Sequence, residues 1–329
     1  MSSAAPPSVC LILSSIGERL KSSGDRNREG AEIADITESV RPAWVDDELF
    51  PFRSRFVEID GHTVHYIDEG AGPALLFLHG NPTWSFLWRE VITALRGEFR
   101  CIAPDYPGFG LSTAGPGYRY LPEEHAEVVA GFADALGLEQ VTLVGQDWGG
   151  PIGLAVAQRR PGMFTRLVLA NTWAWPVNGS LYFEAFARLL GGPPGRALIR
   201  RFNLLVNTFI PTGHRRRTPT AAEMTHYRRA LDTPERRRSS AILPSRVVAS
   251  RQFFTELETG LPALAHLPTL IVWGAADLAF RRQERERLQA AFPGHELVLV
   301  DGAGTYVESD APEEFVTAIR NWTATQRLR

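Results

Sequence analysis

From residue 56 onward, unbroken apolar runs of strand length alternate with amphipathic segments of helix length. That alternation restricts the fold more than any other feature of the chain. The runs at 74–78 (ALLFL), 101–103, 141–144, 167–170, 270–273 and 297–300 carry no polar face, so each reads as a strand covered on both sides. The segments 86–95, 123–136, 152–159, 283–292 and 313–322 set their apolar residues at helical spacing. Strands that alternate with helices pair in parallel and bury both sheet faces under the helices. Two further runs, 56–60 and 63–68, alternate apolar and polar residues as an antiparallel edge hairpin does. The expectation is an α/β fold with a mostly parallel eight-stranded sheet and helices on both faces.

The rhythm breaks at 176–260, which holds no convincing strand. Here helices are predicted, interrupted by Gly191-Gly192-Pro193-Pro194 and by Pro211, Pro219, Pro234 and Pro244. A helical insertion between two sheet strands is expected to cap the C-terminal edge of the sheet and to shape a pocket there. The chain therefore divides into an extension of loose composition at 1–40, a core at 41–175 and 261–329, and a cap at 176–260. The cap's arginine clusters at 215–217, 228–229 and 236–238 read as solvated helix faces and turns, with a partner surface or an anionic substrate as the alternative.

Composition narrows the function classes. A net charge of −2 over 329 residues argues against a nucleic-acid binder, which would be strongly basic. No apolar stretch reaches the roughly 20 residues a membrane span needs, and the short run 9–16 lacks the basic lead of an export signal. The two cysteines, Cys10 and Cys101, have no ligand or redox spacing and read as free thiols of a reducing, cytoplasmic protein. No metal cluster or nucleotide loop is present, so no cofactor is implied. The sequence is silent on oligomeric state.

The strongest motif is Val144-Gly145-Gln146-Asp147-Trp148-Gly149-Gly150, which follows an apolar strand and opens a helix. This is the context of the sharp elbow that exposes a nucleophile at the top of a sheet. Here the apex is Asp147. A carboxylate there can attack an sp3 carbon and form an alkyl ester; it can equally be a helix N-cap at an ordinary turn. Two loops weigh against the ordinary turn. His79-Gly80-Asn81-Pro82 leaves the run 74–78, where a backbone N–H of an anion hole would lie, the second coming from Trp148. Asp105 to Ser112 forms a Gly/Pro-rich turn after 101–103. Together the three identify an α/β-hydrolase fold.

The segments 79–89 (HGNPTWSFLWR) and 146–154 (QDWGGPIGL) resemble the haloalkane dehalogenases, and the similarity runs from about residue 41 to the C-terminus, weakest in the cap. The resemblance implies a small apolar, halogenated substrate, Asp147 as nucleophile, and a side-chain amide and an indole N–H that hold the departing halide. Asn81 and Trp148 stand at those positions. A turn residue before proline and a packed core aromatic are their plainer readings. The acid that orients the base is expected at Asp277, after 270–273, although a turn aspartate would look the same; the other possible location offers only Asn171.

At the base the pattern fails. The loop after the last strand reads Asp301-Gly302-Ala303-Gly304-Thr305-Tyr306, and Thr305 stands where the family keeps its histidine. Threonine has no useful pKa near neutrality and cannot activate water. Of the eight histidines, only His214 and His226 lie in the cap, where they could point down toward Asp147; His79 reads as a structural support and His125 as part of a surface helix or its approach. The side chain of Tyr306 is expected to point elsewhere. The chemistry that remains is displacement at carbon with impaired hydrolysis of the ester. A non-hydrolytic biosynthetic enzyme or a silent binding protein on the same scaffold stays open. So does an epoxide hydrolase, for which Tyr182 and Tyr227 would be the cap tyrosines.

Overall fold

The computed structural model describes residues 41–326; the extension 1–40, with Cys10 and the run 9–16, lies outside them. The chain enters the sheet through a hairpin, β1 (Arg55–Ile59) and β2 (His62–Glu69), in antiparallel register from Arg55 opposite Tyr66 to Ile59 opposite His62. Its two-residue turn is Asp60-Gly61, with φ of 49° and 77°. That pair of positive torsions gives the turn whose twist matches two right-twisted strands, and Asp-Gly tolerates it best.

Six strands complete the sheet: β3 (Ala74–Leu78), β4 (Arg100–Pro104), β5 (Val141–Gln146), β6 (Phe164–Ala170), β7 (Thr269–Gly274) and β8 (Glu296–Val300). Their order is β1-β2-β4-β3-β5-β6-β7-β8, antiparallel at β1–β2–β4 and parallel from β4 onward. The fold is the α/β-hydrolase fold. Side chains alternate between two cores with the period of two that a strand imposes. Leu76, Leu78, Leu143 and Ile271 face one core, and Leu75, Phe77, Val144 and Val272 the other. Helices α2 (Pro122–Ala135) and α3 (Gly149–Arg159) cover the first. The second lies under α1 (Arg89–Leu95), with α11 (Val307–Asp310) and α12 (Pro312–Gln326). The helix expected over 86–95 begins as a 3-10 turn, Ser85–Trp88. β8 is the last strand of the sheet and half exposed, not buried on both faces as its apolar run suggests, because no strand pairs with its outer edge.

Six helices connect β6 to β7: α4 (Leu181–Gly191), α5 (Pro193–Phe202), α6 (Leu204–Gly213), α7 (Ala221–Ala230), α8 (Arg238–Ala249) and α9 (Arg251–Leu264). Pro193 and Pro194 start α5, where a missing N–H costs nothing. Pro211 and Pro244 do not interrupt helices as the sequence suggests; both sit inside them. Glu223 of α7 is buried between Arg217 and Arg89 of α1. Burial alone would raise this carboxyl, but the two guanidiniums override it and lower it to about 2. α10 (Arg282–Ala291) fills the connection from β7 to β8.

Candidate active site

β5 ends at Gln146 and α3 begins at Gly149, so the turn between them is two residues long. Asp147 at its tip has φ of 50°, a left-handed backbone that a residue with a side chain holds only when its surroundings impose it. Its N–H donates to the Asn171 carbonyl at 3.1 Å, and its own carbonyl accepts from Gly150 N at 3.1 Å and from Thr172 Oγ1 at 2.6 Å. The neighbouring glycines are required for space. A Cβ on Gly149 would lie 1.9 Å from Leu78 O, and one on Gly80 would lie 2.4 Å from Asp147 Oδ1.

The Asp147 carboxylate sits in a pair of backbone donors. Oδ1 accepts from Asn81 N at 3.0 Å and from Trp148 N at 2.7 Å, the two amides expected from the loop after β3 and from the residue after the elbow. Loss of hydration pushes the carboxyl up to about 7 in spite of these bonds, and the charge of Asp277 adds to the rise.

Asn81 and Trp148 both border the same cavity as Asp147. Asn81 Nδ2 donates to Ser240 O of α8 at 3.3 Å. That carbonyl is available because Pro244, four residues on, has no N–H to close the helical bond. The proline inside α8 therefore supplies the acceptor that aims the amide, and one Nδ2 proton remains for the cavity. Trp148 packs edge-on against Trp173 at 4.9 Å, and Trp173 Nε1 is buried with no partner.

Asp277 follows β7 and does not itself reach the cavity wall. Its Oδ1 accepts from Thr305 Oγ1 at 2.5 Å and from Ala279 N at 2.7 Å. Its Oδ2 accepts from Asn171 Nδ2 at 2.6 Å, while Asn171 Oδ1 takes Gly274 N at 2.9 Å. Burial raises Asp277 to about 6 despite these bonds. Thr305 lies on the wall, between Asp277 and the cavity. Its backbone is fixed twice: Thr305 N donates to Gly213 O of α6 at 2.9 Å, and Thr305 O accepts from Gln146 Nε2 at 3.1 Å.

The cavity measures about 180 Å³, small beside the roughly 300–1,000 Å³ of sites for drug-sized ligands. Loops of the sheet give its floor, and Phe183, Phe186, Phe209 and Val247 of the helices between β6 and β7 give an apolar roof. All four predicted wall residues, Asn81, Asp147, Trp148 and Thr305, meet there, with Asp277 directly behind Thr305. The sequence carries no local signal for Asn171 and Gln146 as supports of this site, or for Trp173 as part of its wall. Tyr306, expected to point away, lines the cavity instead, its ring packed so closely on Gly213 that a Cβ there would lie 2.5 Å from Tyr306 Cε2.

No histidine lines this cavity. His214 is buried with Nδ1 on Ile210 O and Nε2 on Ser309 Oγ. His226 bonds Ala222 O and accepts from Asp46 N. His79 is held between Gly80 O and Tyr106 N, and burial lowers it to about 4. His125, expected at the surface, is fully buried inside α2 and bonded to Tyr118 Oη at 2.8 Å. Of the two tyrosines considered, Tyr182 lines the cavity but donates its hydroxyl to Leu278 O at 3.0 Å. Tyr227 is buried elsewhere, off the wall. Among the described residues no group of three or more His, Cys, Asp or Glu could hold a metal ion.

Residues 73–310 match the family model described as the alpha/beta hydrolase fold. Haloalkane dehalogenase 2 of Mycobacterium tuberculosis is 45% identical over 83% of this chain and 96% of its own. A cis-3-alkyl-4-alkyloxetan-2-one decarboxylase of Shewanella oneidensis is 32% identical over 86% of this chain and 92% of its own. The solved structure of a haloalkane dehalogenase from Bradyrhizobium elkani superposes with a TM-score of 0.75 at 27% identity, over 83% of this chain and 97% of that one. In sequence and in fold, then, the chain belongs to the haloalkane dehalogenase family of the α/β-hydrolase superfamily.

Proposed function

We propose that the protein displaces halide from a small haloalkane by attack of Asp147 on the carbon, and that it then stalls as the alkyl ester. The observation that carries this reading is Thr305. Its one hydroxyl proton goes to Asp277 at 2.5 Å, on the wall where the family's histidine would stand. In the first half-reaction a carboxylate oxygen of Asp147 forms the new C–O bond as the C–X bond breaks, and the electron pair leaves with the halide. Asn81 Nδ2 and the Trp148 indole are the donors available for that developing charge. The second half-reaction needs a base to take a proton from water, and threonine offers none. The cap reading of 176–260 fits this role, since an apolar roof excludes water from a charged nucleophile.

The test is mass spectrometry of the protein after incubation with a short bromoalkane. A single alkyl increment is expected on Asp147, absent from Asp147→Asn, and forming faster as pH rises through about 7, where the carboxyl loses its proton. Thr305→His should turn the single event into continuous halide release. A folded protein that never acquires the increment would sink the proposal.

A second reading rests on the same threonine together with the oxetanone decarboxylase relative. Opening of a β-lactone by Asp147 at its sp3 ring carbon releases a carboxylate. Loss of CO2 then forms the alkene and expels Asp147 again. No water is consumed, so no base is required. A dialkyl oxetanone turned over to alkene and CO2 by the unmodified protein, with no bromoalkane adduct, would favour this reading over the first.

A further inference from the structure

The surface around the cavity mouth carries features that neither chemistry requires. Among the described residues, six of the seven large apolar side chains left exposed belong to α4, α5 or the loop that touches α4. Leu181, Tyr182 and Leu189 are on α4, and Leu198 and Phe202 on α5. Leu278 lies on the cavity wall and its carbonyl accepts from Tyr182. They are not marginal exposures: Leu189 is 71% and Phe202 58% accessible. The two helices lie side by side on α8. Gly191 approaches so closely that a Cβ would lie 2.5 Å from Ser245 N, and Arg196 donates to Ser245 Oγ. Their outward faces, with Tyr182, Ala185 and Leu189 on one and Leu198 and Phe202 on the other, therefore look the same way.

The stretch of chain that carries this patch is basic. From Arg188 to Ala222 the sequence has seven arginines and no aspartate or glutamate. Arg188, Arg200 and Arg201 are exposed and are in no ion pair with the described residues. With 35 basic and 37 acidic residues in all, the remainder of the chain is 28 basic against 37 acidic. Of the seven arginines, Arg216 and Arg217 are paired with Glu314 and Glu223 away from the patch, so the positive charge beside the patch is that of Arg188, Arg200 and Arg201. A contiguous apolar patch is unusual on a monomer, and an apolar face rimmed by unpaired arginines has the composition that seats in the headgroup region of an anionic bilayer. The arginine rim would repel itself across a two-fold contact, which disfavours a second copy of this chain as the occupant.

We infer that the α4–α5 face docks on an anionic phospholipid surface, with the cavity mouth at the acyl boundary from which an apolar substrate would enter. No helix of the described residues is long and apolar enough to cross a membrane; this contact is peripheral and independent of such a span.

Flotation of the full chain with vesicles tests it, using phosphatidylcholine alone and with about 30 mol % phosphatidylglycerol. The expected result is binding to the anionic vesicles at low salt, reduced about tenfold by raising salt to about 0.5 M and about as much without phosphatidylglycerol. Leu189→Glu/Leu198→Glu/Phe202→Glu should abolish flotation while circular dichroism and Tm stay unchanged. Should that variant fail to fold, Arg188→Gln/Arg200→Gln/Arg201→Gln, which leaves the apolar contacts in place, should weaken binding to the anionic vesicles several-fold. The inference is overturned if the chain does not float with anionic vesicles at low salt, or if binding survives both sets of substitutions. It is equally overturned if the lipid-free protein is a dimer that the glutamate variant splits.

Discussion

A threonine hydroxyl and a histidine imidazole differ in reach as well as in acidity. An imidazole bonds an acid through one nitrogen and presents the other to water; Thr305 has a single oxygen whose proton is given to Asp277. On the proposed reading, Asp277 then supports a residue that has nothing to relay. Three positions further on, Glu308 is fully buried, and neither carboxylate oxygen meets a partner from another residue. Burial raises this carboxyl far above its ordinary value near 4.5, with the charges of Asp147 and Asp277 adding to the rise. The folded chain therefore keeps a proton that the unfolded chain releases once pH exceeds about 4.5. Stability should be fully present below that pH and fall as pH rises toward the folded value, by up to about 1.4 kcal/mol per pH unit. Glu308→Gln removes the ionisation. Urea denaturation should find the variant close to the parent near pH 4.5 and progressively more stable toward pH 8; a constant difference would show that Glu308 does not titrate. Thr305 was legible because its flanks, Gly302 to Gly304 and Pro312, keep the register of the loop. Asn171 was not, since its bond to Asp277 joins residues 106 apart and depends on β6 lying beside β7.

At the scale of elements, the strands were read from uninterrupted apolar runs, and the exception has a physical reason. β8 is as apolar in sequence as β7 but lies at the sheet edge, and composition alone cannot tell an edge from a centre. The prolines of the helical insertion were read as breaks, and two of them lie inside helices. Pro244 shows what such a proline does. It forfeits one helical hydrogen bond and leaves Ser240 O free for Asn81 Nδ2 at 3.3 Å. Pro244→Ala should restore an N–H that Ser240 O can accept within α8, raise or leave unchanged the Tm, and release the amide of Asn81. The expected signature is a slower bromoalkane adduct, by at most the roughly 100- to 1,000-fold that loss of one aligned donor costs, in a protein no less stable. A variant with reduced Tm and an unchanged alkylation rate would mean that the proline serves packing alone.

Considered as one molecule, the protein has a cavity whose two walls come from different parts of the chain. Asp147, Asn81 and Thr305 belong to the sheet loops, whereas Phe183, Phe186, Phe209 and Val247 belong to the helices between β6 and β7. An alkyl chain esterified to Asp147 would touch both walls in the folded state and water in the unfolded state. Each methylene buried there should add about 0.8 kcal/mol, which for a chain of this size corresponds to a rise of roughly 1–2 °C in Tm. The gain should continue only while the cavity of about 180 Å³ has room, because further carbons must either strain a packed roof or leave through the mouth beside Tyr182 and Leu278. A series of adducts made with 1-bromoalkanes of increasing length should thus show Tm climbing and then levelling or falling. The length at the turning point measures the space available to a substrate. A Tm that ignores chain length would mean that the alkyl group on Asp147 does not lie between the two walls, and a decline from the shortest adduct would mean that the cavity is closed in solution.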